Sequence, residues 1–209
     1  MGLTIWGRSN SVNVMKALWC LAELELPYER IDAGMQFGKN NEAEYLSMNP
    51  NGRVPTLVDG AYVLWESNSV MRYLCMAYGK GTPIYPADPK QRAGVDRWLD
   101  WTLSTVQPVD RPVFWALVRT PKEKQDMAQI QKDADAEAPV WAIADRQLST
   151  RRYMEGDQFT IADIAVGAFA RRWIGFTGIN KPSFAHVARW YADISSRPSF
   201  SKQLAVPMS

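Results

Sequence analysis

Cysteine is nearly absent from this chain of 209 residues: only Cys20 and Cys75 occur, with no C-x-x-C pair and a single histidine, His186. Neither a disulfide framework nor a zinc site can be built from so few ligands, and no metal is expected. A reduced, cytoplasmic setting fits that usage. Blocks of like charge are missing too. With 24 Lys and Arg against 22 Asp and Glu the formal net charge is +2, so neither nucleic acid nor an acidic membrane surface is indicated as a partner. The pairs Arg151-Arg152 and Arg171-Arg172 read as solvated helix faces. No apolar run is long enough to cross a bilayer. The N-terminus lacks a basic stretch followed by an apolar one, so no signal peptide is expected. Met1-Gly2 opens like a myristoylation site, but Trp6 stands where that motif needs Ser or Thr.

What is present suits a folded, soluble chain: 46% hydrophobic and 22% charged residues, with no repeat and no low-complexity tract. Leu3 to Trp6 reads as a strand, a helix starts near Val12, and Tyr28 to Ile31 reads as a second strand parallel to the first. A weaker stretch holds one or two helical turns around Glu42 to Leu46. Val54 to Val58 and Ala61 to Trp65 then form a hairpin around the turn signal Asp59-Gly60, and a helix follows. The expected fold is an α/β N-terminal domain of order β-α-β-α-β-β-α over residues 1–80, a linker over 81–89, and an all-α domain over 90–209. Prolines and glycines between Gly79 and Pro89 mark the linker. Beyond it the apolar period is helical. One helix is expected to stop near Pro108, another to run from Pro112 to Val118, and one long or two short helices to cover Lys122 to Met154 around Pro139. Thr160-Ile161-Ala162-Asp163 spells a capping box, and a last helix ends at Arg197-Pro198.

The most informative stretch is Asn49-Pro50-Asn51-Gly52-Arg53-Val54-Pro55-Thr56-Leu57, continuing to Glu66-Ser67. Pro55 opens a strand, where a residue without an N–H is tolerated. If the Val54–Pro55 bond is cis, Val54 keeps its N–H and C=O for an extended ligand backbone. Ser67, read as the N-cap of the next helix, offers a hydroxyl and free N–H groups to a carboxylate. Glu66 suits an ammonium. These residues together describe a receptor for something peptide-like, although a hairpin with an ordinary cap would use the same letters.

The whole pattern resembles the soluble glutathione transferases. The likeness rests on Ser11-Val12-Asn13-Val14-Met15-Lys16, the Asn49 to Leu57 run, Glu66-Ser67, and Gly156-Asp157-Gln158-Phe159-Thr160-Ile161-Ala162-Asp163, in that order. It spans nearly the whole chain and points to a serine-type, theta-like, bacterial-looking member. The resemblance implies a thioredoxin-like first domain that binds glutathione as co-substrate, without metal. It implies a cytoplasmic detoxification enzyme that joins the thiolate to a small-molecule electrophile, and a homodimer. Val54 and cis-Pro55 would pair with the cysteinyl backbone, and Glu66 and Ser67 would hold the γ-glutamyl end. Arg53 and Lys39 are the candidate cations for the glycine carboxylate. Ser11 would be catalytic, its hydroxyl favouring the thiolate, with Asn10 and Ser9 as alternatives. Arg111, Phe114 and Trp115 would line the electrophile pocket. Departures narrow the class. Trp6 and Gly7 stand where tyrosine-type members carry Tyr, and the Ser9 to Ser11 loop holds no Cys. A glutathione-dependent disulfide reductase or peroxidase without a protein thiol, and a non-catalytic binding protein of the same fold, remain as alternative expectations.

Overall fold

The structure, a computed structural model, describes residues 2–204 and 206–208. Two compact units divide the chain: Met1–Tyr85 with Pro198–Pro207, and Pro86–Arg197 with Met208–Ser209.

The first unit is built on β1 (Leu3–Trp6), α1 (Val12–Glu23), β2 (Tyr28–Ile31), α2 (Ala43–Met48), β3 (Thr56–Asp59), β4 (Tyr62–Trp65) and α3 (Ser67–Tyr78). The sheet order is β2-β1-β3-β4. β1 runs parallel to β2, and β3 is antiparallel to both β1 and β4. Helix crossover joins the parallel pair, whereas a hairpin suffices for β3 and β4. α1 and α3 pack together, and their apolar stripes are buried (Val14, Met15, Leu18 and Leu21 on one, Val70, Met71 and Leu74 on the other), as are Ile5 and Leu57 of the sheet.

The hairpin sits one residue away from its expected turn. Asp59 pairs with Tyr62, so Gly60-Ala61 is the two-residue connection, and Gly60 takes the left-handed φ of +60°. β3 also begins at Thr56, two residues later than its apolar run suggests, because the ladder to Trp6 starts there. A further helix, α9 (Pro198–Leu204), belongs with this unit, whereas the sequence assigned residues 90–209 to the helical domain. Side-chain chemistry accounts for the difference: Phe200 meets the Trp19 ring edge-on at 5.0 Å, and the Tyr28 hydroxyl donates to Gln203.

In the second unit the helix that was expected to stop at Pro108 continues. α4 (Pro89–Trp101) leads through a wide π-type turn, Thr102–Val106, into α5 (Gln107–Phe114) and a second such turn, Trp115–Arg119. Pro108 and Pro112 cannot donate to the carbonyls four residues back. Wide turns on either side of α5 absorb the mismatch, and the Thr120 N–H reaches back five residues to Trp115. α6 (Met127–Leu148) is one helix through Pro139. α7 (Ile161–Gly175) opens on the expected capping box and is buried on nearly every face, and α8 (Ala185–Ser195) packs on α6 and α7. Trp98, Leu99, Trp141, Phe169 and Trp190 fill the core.

Candidate active site

One row across the sheet explains how distant residues come together. Trp6 of β1 pairs with Ile31 of β2 and Thr56 of β3, and Thr56 pairs with Trp65 of β4. The segments that follow Trp6, Ile31 and Trp65, and the one that precedes Thr56, therefore all leave the sheet at the same edge. They carry Ser9 to Ser11, Lys39, Glu66-Ser67 and Arg53 to Pro55.

Close backbone approach at that edge depends on Gly7. It has φ of +153°, and a Cβ there would lie 2.5 Å from Val14 Cγ2 and 3.2 Å from Val54 Cβ. The absent side chain lets the first loop run against Val54 while α1 starts beneath it.

Ser11 occupies the N-cap of α1 and is buried, and its C=O accepts the Met15 N–H at 2.8 Å. Its hydroxyl makes no capping hydrogen bond, although a serine at this position ordinarily turns back on its own helix. Ser9 and Asn10 are half-buried in the turn before it. The Val54–Pro55 bond is cis, and the Val54 N–H and C=O make no backbone hydrogen bond with the described residues. Two buried side chains hold that segment in place. Tyr45 Oη donates to the Arg53 C=O at 2.6 Å, and Asn49 Nδ2 donates to the same oxygen at 2.8 Å and to Thr56 Oγ1 at 3.1 Å. Burial pushes the Tyr45 phenol above its usual value, so it stays a donor.

Ser67 is not the cap of α3 but its first residue, 3% exposed. Glu66 takes the cap position with φ of +71°. The reason is local: Trp65 is still paired to Thr56, so one residue must turn the chain from strand to helix. A left-handed glutamate costs about 1–3 kcal/mol, and such conformations collect at ligand clamps. The Glu66 side chain is exposed, while Ser67 Oγ donates to Asn13 Oδ1 at 3.4 Å. Lys16 is fully buried and donates from Nζ to Asn68 Oδ1 at 3.0 Å. The N-termini of α1 and α3 are thus laced together by side chains.

Sequence reasoning missed Asn13, Asn49, Tyr45 and the Lys16–Asn68 pair as positioning groups. Asn49 could have been found, because Asn-Pro-Asn-Gly is turn chemistry and its Oδ1 does accept the Asn51 N–H at 3.1 Å.

Arg53 and Lys39 both have exposed side chains, and the Lys39 ammonium lies 6.0 Å from the centre of the Trp6 ring. In the helical unit, Arg111 and Trp115 are exposed with the guanidinium 5.9 Å from the ring centre, whereas Phe114 is 4% exposed. Among the described residues no three His, Cys, Asp or Glu side chains are grouped as metal ligands, and no helix is long and apolar enough to cross a membrane.

Comparison with known proteins gives the family. Residues 1–75 match the family model described as Glutathione S-transferase, N-terminal domain, and residues 107–198 match Glutathione S-transferase, C-terminal domain. Glutathione S-transferase GstB of Escherichia coli (strain K12) is 40% identical over 214 residues, which cover 99% of this chain and 100% of that protein. The crystal structure of the theta class glutathione S-transferase from the citrus canker pathogen Xanthomonas axonopodis pv. citri, with glutathione bound, is 42% identical. Its TM-score is 0.94, over 100% of this chain and 99% of that one. Poplar glutathione transferase F1 is more distant, at 28% identity and a TM-score of 0.88 over 98% and 97% of the two chains. An edge where a cis-proline loop, a serine hydroxyl that makes no capping bond and the start of α3 converge, and family models that match on both sides of the linker, lead to one conclusion: the chain belongs to the glutathione S-transferase family.

Proposed function

We propose that this protein joins the thiolate of glutathione to electrophilic small molecules, with Ser11 as the residue that activates the thiol. The observation that carries the reading is the Ser11 hydroxyl, held at the start of α1 and committed to no capping bond. A thiol of pKa about 8.5 is largely protonated at neutral pH. A hydroxyl that donates to sulfur and a helix N-terminus that points at it both favour the charged form. The thiolate attacks the acceptor, a carbon–sulfur bond forms, and the leaving group departs with its electron pair. In this reading Ser11 holds the sulfur through one hydrogen bond, and Ser9 and Asn10 are the alternatives in the same loop.

The remaining roles follow from the chemistry each group offers. Val54 offers an N–H and a C=O to the cysteinyl unit, beside cis-Pro55. Ser67 and the first N–H groups of α3 suit the γ-glutamyl carboxylate, and the exposed Glu66 suits its ammonium. Arg53 and Lys39 are the cations offered to the glycine carboxylate. Residues 1–80 would hold glutathione, and residues 90–209, past the 81–89 linker, would supply the acceptor pocket. There Arg111 and Trp115 are offered to the electrophile, while burial of Phe114 supports a packing role behind them. We also assign the protein to the cytoplasm, in detoxification, as a homodimer.

Replacement of Ser11 tests the central claim. Ser11→Ala is expected to lower turnover of a chloro-aromatic acceptor at pH 7 by about ten-fold or more, with glutathione affinity by calorimetry largely kept. An unchanged rate would move the role to Asn10 or Ser9. Hydroperoxides and mixed disulfides assayed beside that acceptor separate conjugation from glutathione-dependent reduction.

A further inference from the structure

The two cysteines, 55 positions apart, are brought into contact by the fold: Cys20 Sγ and Cys75 Sγ lie 3.7 Å apart. Cys20 is in the last turn of α1 and fully buried. Cys75 is in the last turn of α3 and 6% exposed. Both are thiols, Cys20 Sγ also approaches the Met71 C=O at 3.9 Å, and nothing in the proposed chemistry uses either. The sulfur of Cys75 and burial together push the Cys20 thiol well above its usual value.

We propose that Cys20 and Cys75 form a reversible intrachain disulfide when the protein meets a small hydroperoxide. Exposure sets the order of events. The peroxide meets Cys75, its O–O bond breaks, one oxygen goes to sulfur to give the sulfenic acid, and the other leaves as an alcohol, or as water from hydrogen peroxide. Cys20 Sγ, already in contact, then attacks the Cys75 sulfur, the S–O bond breaks, and water is released. In sum two thiols lose two electrons and two protons, and the hydroperoxide is reduced to alcohol and water. A second thiol pair, such as two molecules of reduced glutathione, restores both cysteines and leaves as its own disulfide.

Closure would move more than the sulfurs. A disulfide is about 2.05 Å long, so the two sulfurs must close in from the present 3.7 Å contact, and a local adjustment of α1 against α3 is expected with it. Ser11 caps α1 and Ser67 opens α3, and the Ser67–Asn13 and Lys16–Asn68 hydrogen bonds join their N-terminal ends. A shift at one end of two stiff helices is therefore expected to alter glutathione binding at the other, a consequence that rests on the reading of the site above.

The test uses the intact, folded protein. After brief exposure to hydrogen peroxide the sample is denatured, alkylated without reductant and analysed by mass. The expected result is loss of both alkylatable thiols, an intact mass about 2 Da lower, one cross-linked peptide pair that contains Cys20 and Cys75, and full reversal by dithiothreitol. The proposal is overturned if both thiols still alkylate, if Cys75 gains two oxygens while Cys20 stays free, or if the cross-link joins two chains. Cys20→Ala gives an independent arm: without the resolving thiol, Cys75 is expected to be trapped by dimedone as the sulfenic acid, and no trapping argues against the proposed order. Calorimetry with glutathione before and after oxidation reads the coupling, with weakening of about threefold or more expected. Unchanged affinity in the disulfide form overturns the coupling alone. No affinity in the reduced protein overturns the site reading instead.

Discussion

Glu137 and Asp110 are fully buried carboxyl groups inside the helical unit, and their environments differ in a way that makes a prediction. Asp110 meets Arg172 at 2.5 Å, and that guanidinium lies 3.6 Å from the centre of the Phe114 ring. Glu137 accepts the indole N–H of Trp141 at 2.8 Å, while its other oxygen and the second oxygen of Asp110 have no hydrogen-bond partner among the described residues. Burial first, then the charge of Asp110, pushes Glu137 to about 8, against the weaker pull of Arg172 and Lys181. For Asp110, burial against the pull of Arg172 gives about 6. An unfolded glutamate releases its proton near pH ~4.3. Between there and about pH 8 the folded state keeps a proton that the unfolded chain has lost, so stability falls as pH rises and levels off above that. Asp110 adds a fall of the same sign at lower pH. Glu137→Gln keeps the shape and the Trp141 bond but removes the charge. It is expected to melt higher than the parent at pH 8–9, to melt nearly alike at pH 4, and to show a flatter dependence between. Parallel curves for the two proteins would place the titrating group elsewhere. None of this was legible in the sequence, where Arg171-Arg172 read as a solvated pair, because α7 is buried on almost all sides and alanine-rich spacing does not reveal which charge turns inward.

At the scale of elements, local chemistry was legible wherever a few neighbouring residues decide the outcome. β1, α1, β2 and the capping box of α7 fall where their patterns put them. Several elements were misjudged for the same kind of reason, which is that distant pairings outvote local signals. The ladder from Thr56 to Trp65 moves the cap of α3 from Ser67 to Glu66, the wide turns around α5 carry a helix past two prolines, and the Trp19–Phe200 contact fixes α9 on the first unit. The capping box shows how much a single side chain can organise when local and distant demands coincide. Asp163 Oδ2 accepts from the Thr160 N–H at 2.9 Å and its hydroxyl at 3.2 Å, and Oδ1 accepts from the Met154 N–H at 2.8 Å and the Trp190 indole at 2.9 Å. Burial raises its carboxyl to about 6 despite those donors, so at neutral pH it is the ionised, acceptor-only form that binds them. Asp163→Asn leaves one oxygen for donors on two sides and turns an NH2 toward buried N–H groups. Each orphaned buried group costs about 1–3 kcal/mol, so a drop of about 3 kcal/mol or more in unfolding free energy is expected from urea melts. A drop below about 1 kcal/mol would mean that the box has a tolerant alternative geometry.

For the whole molecule, the convergence of the proposed glutathione residues on one sheet edge was legible in outline because most of them fall in a few short stretches, whereas whatever the acceptor meets depends on side chains that no stretch brings together. Assembly belongs to this scale as well. Tyr62 and Trp65 of β4 and Met76 and Tyr78 of α3 are 48%, 38%, 56% and 42% exposed. They belong to the last strand of the sheet and to the helix that follows it. Asp59 accepts from the hydroxyls of Tyr73, at 2.6 Å, and Tyr78, at 2.5 Å, and Tyr62 and Tyr73 rings lie 5.0 Å apart, so these aromatics are held in place rather than free to turn. A prearranged group of large apolar side chains loses little conformational entropy on association, which favours a partner of the same kind through a two-fold contact. A homodimer through this face predicts, for a chain of 23.7 kDa, a species of twice that mass by light scattering coupled to size exclusion. Tyr62→Glu with Met76→Glu places two charges in the contact and should give the single-chain mass with an unchanged far-ultraviolet circular dichroism spectrum. Neither side chain is assigned to the glutathione site, so calorimetric binding should persist in the variant. A dimer that survives both substitutions would place the interface on another face of the protein.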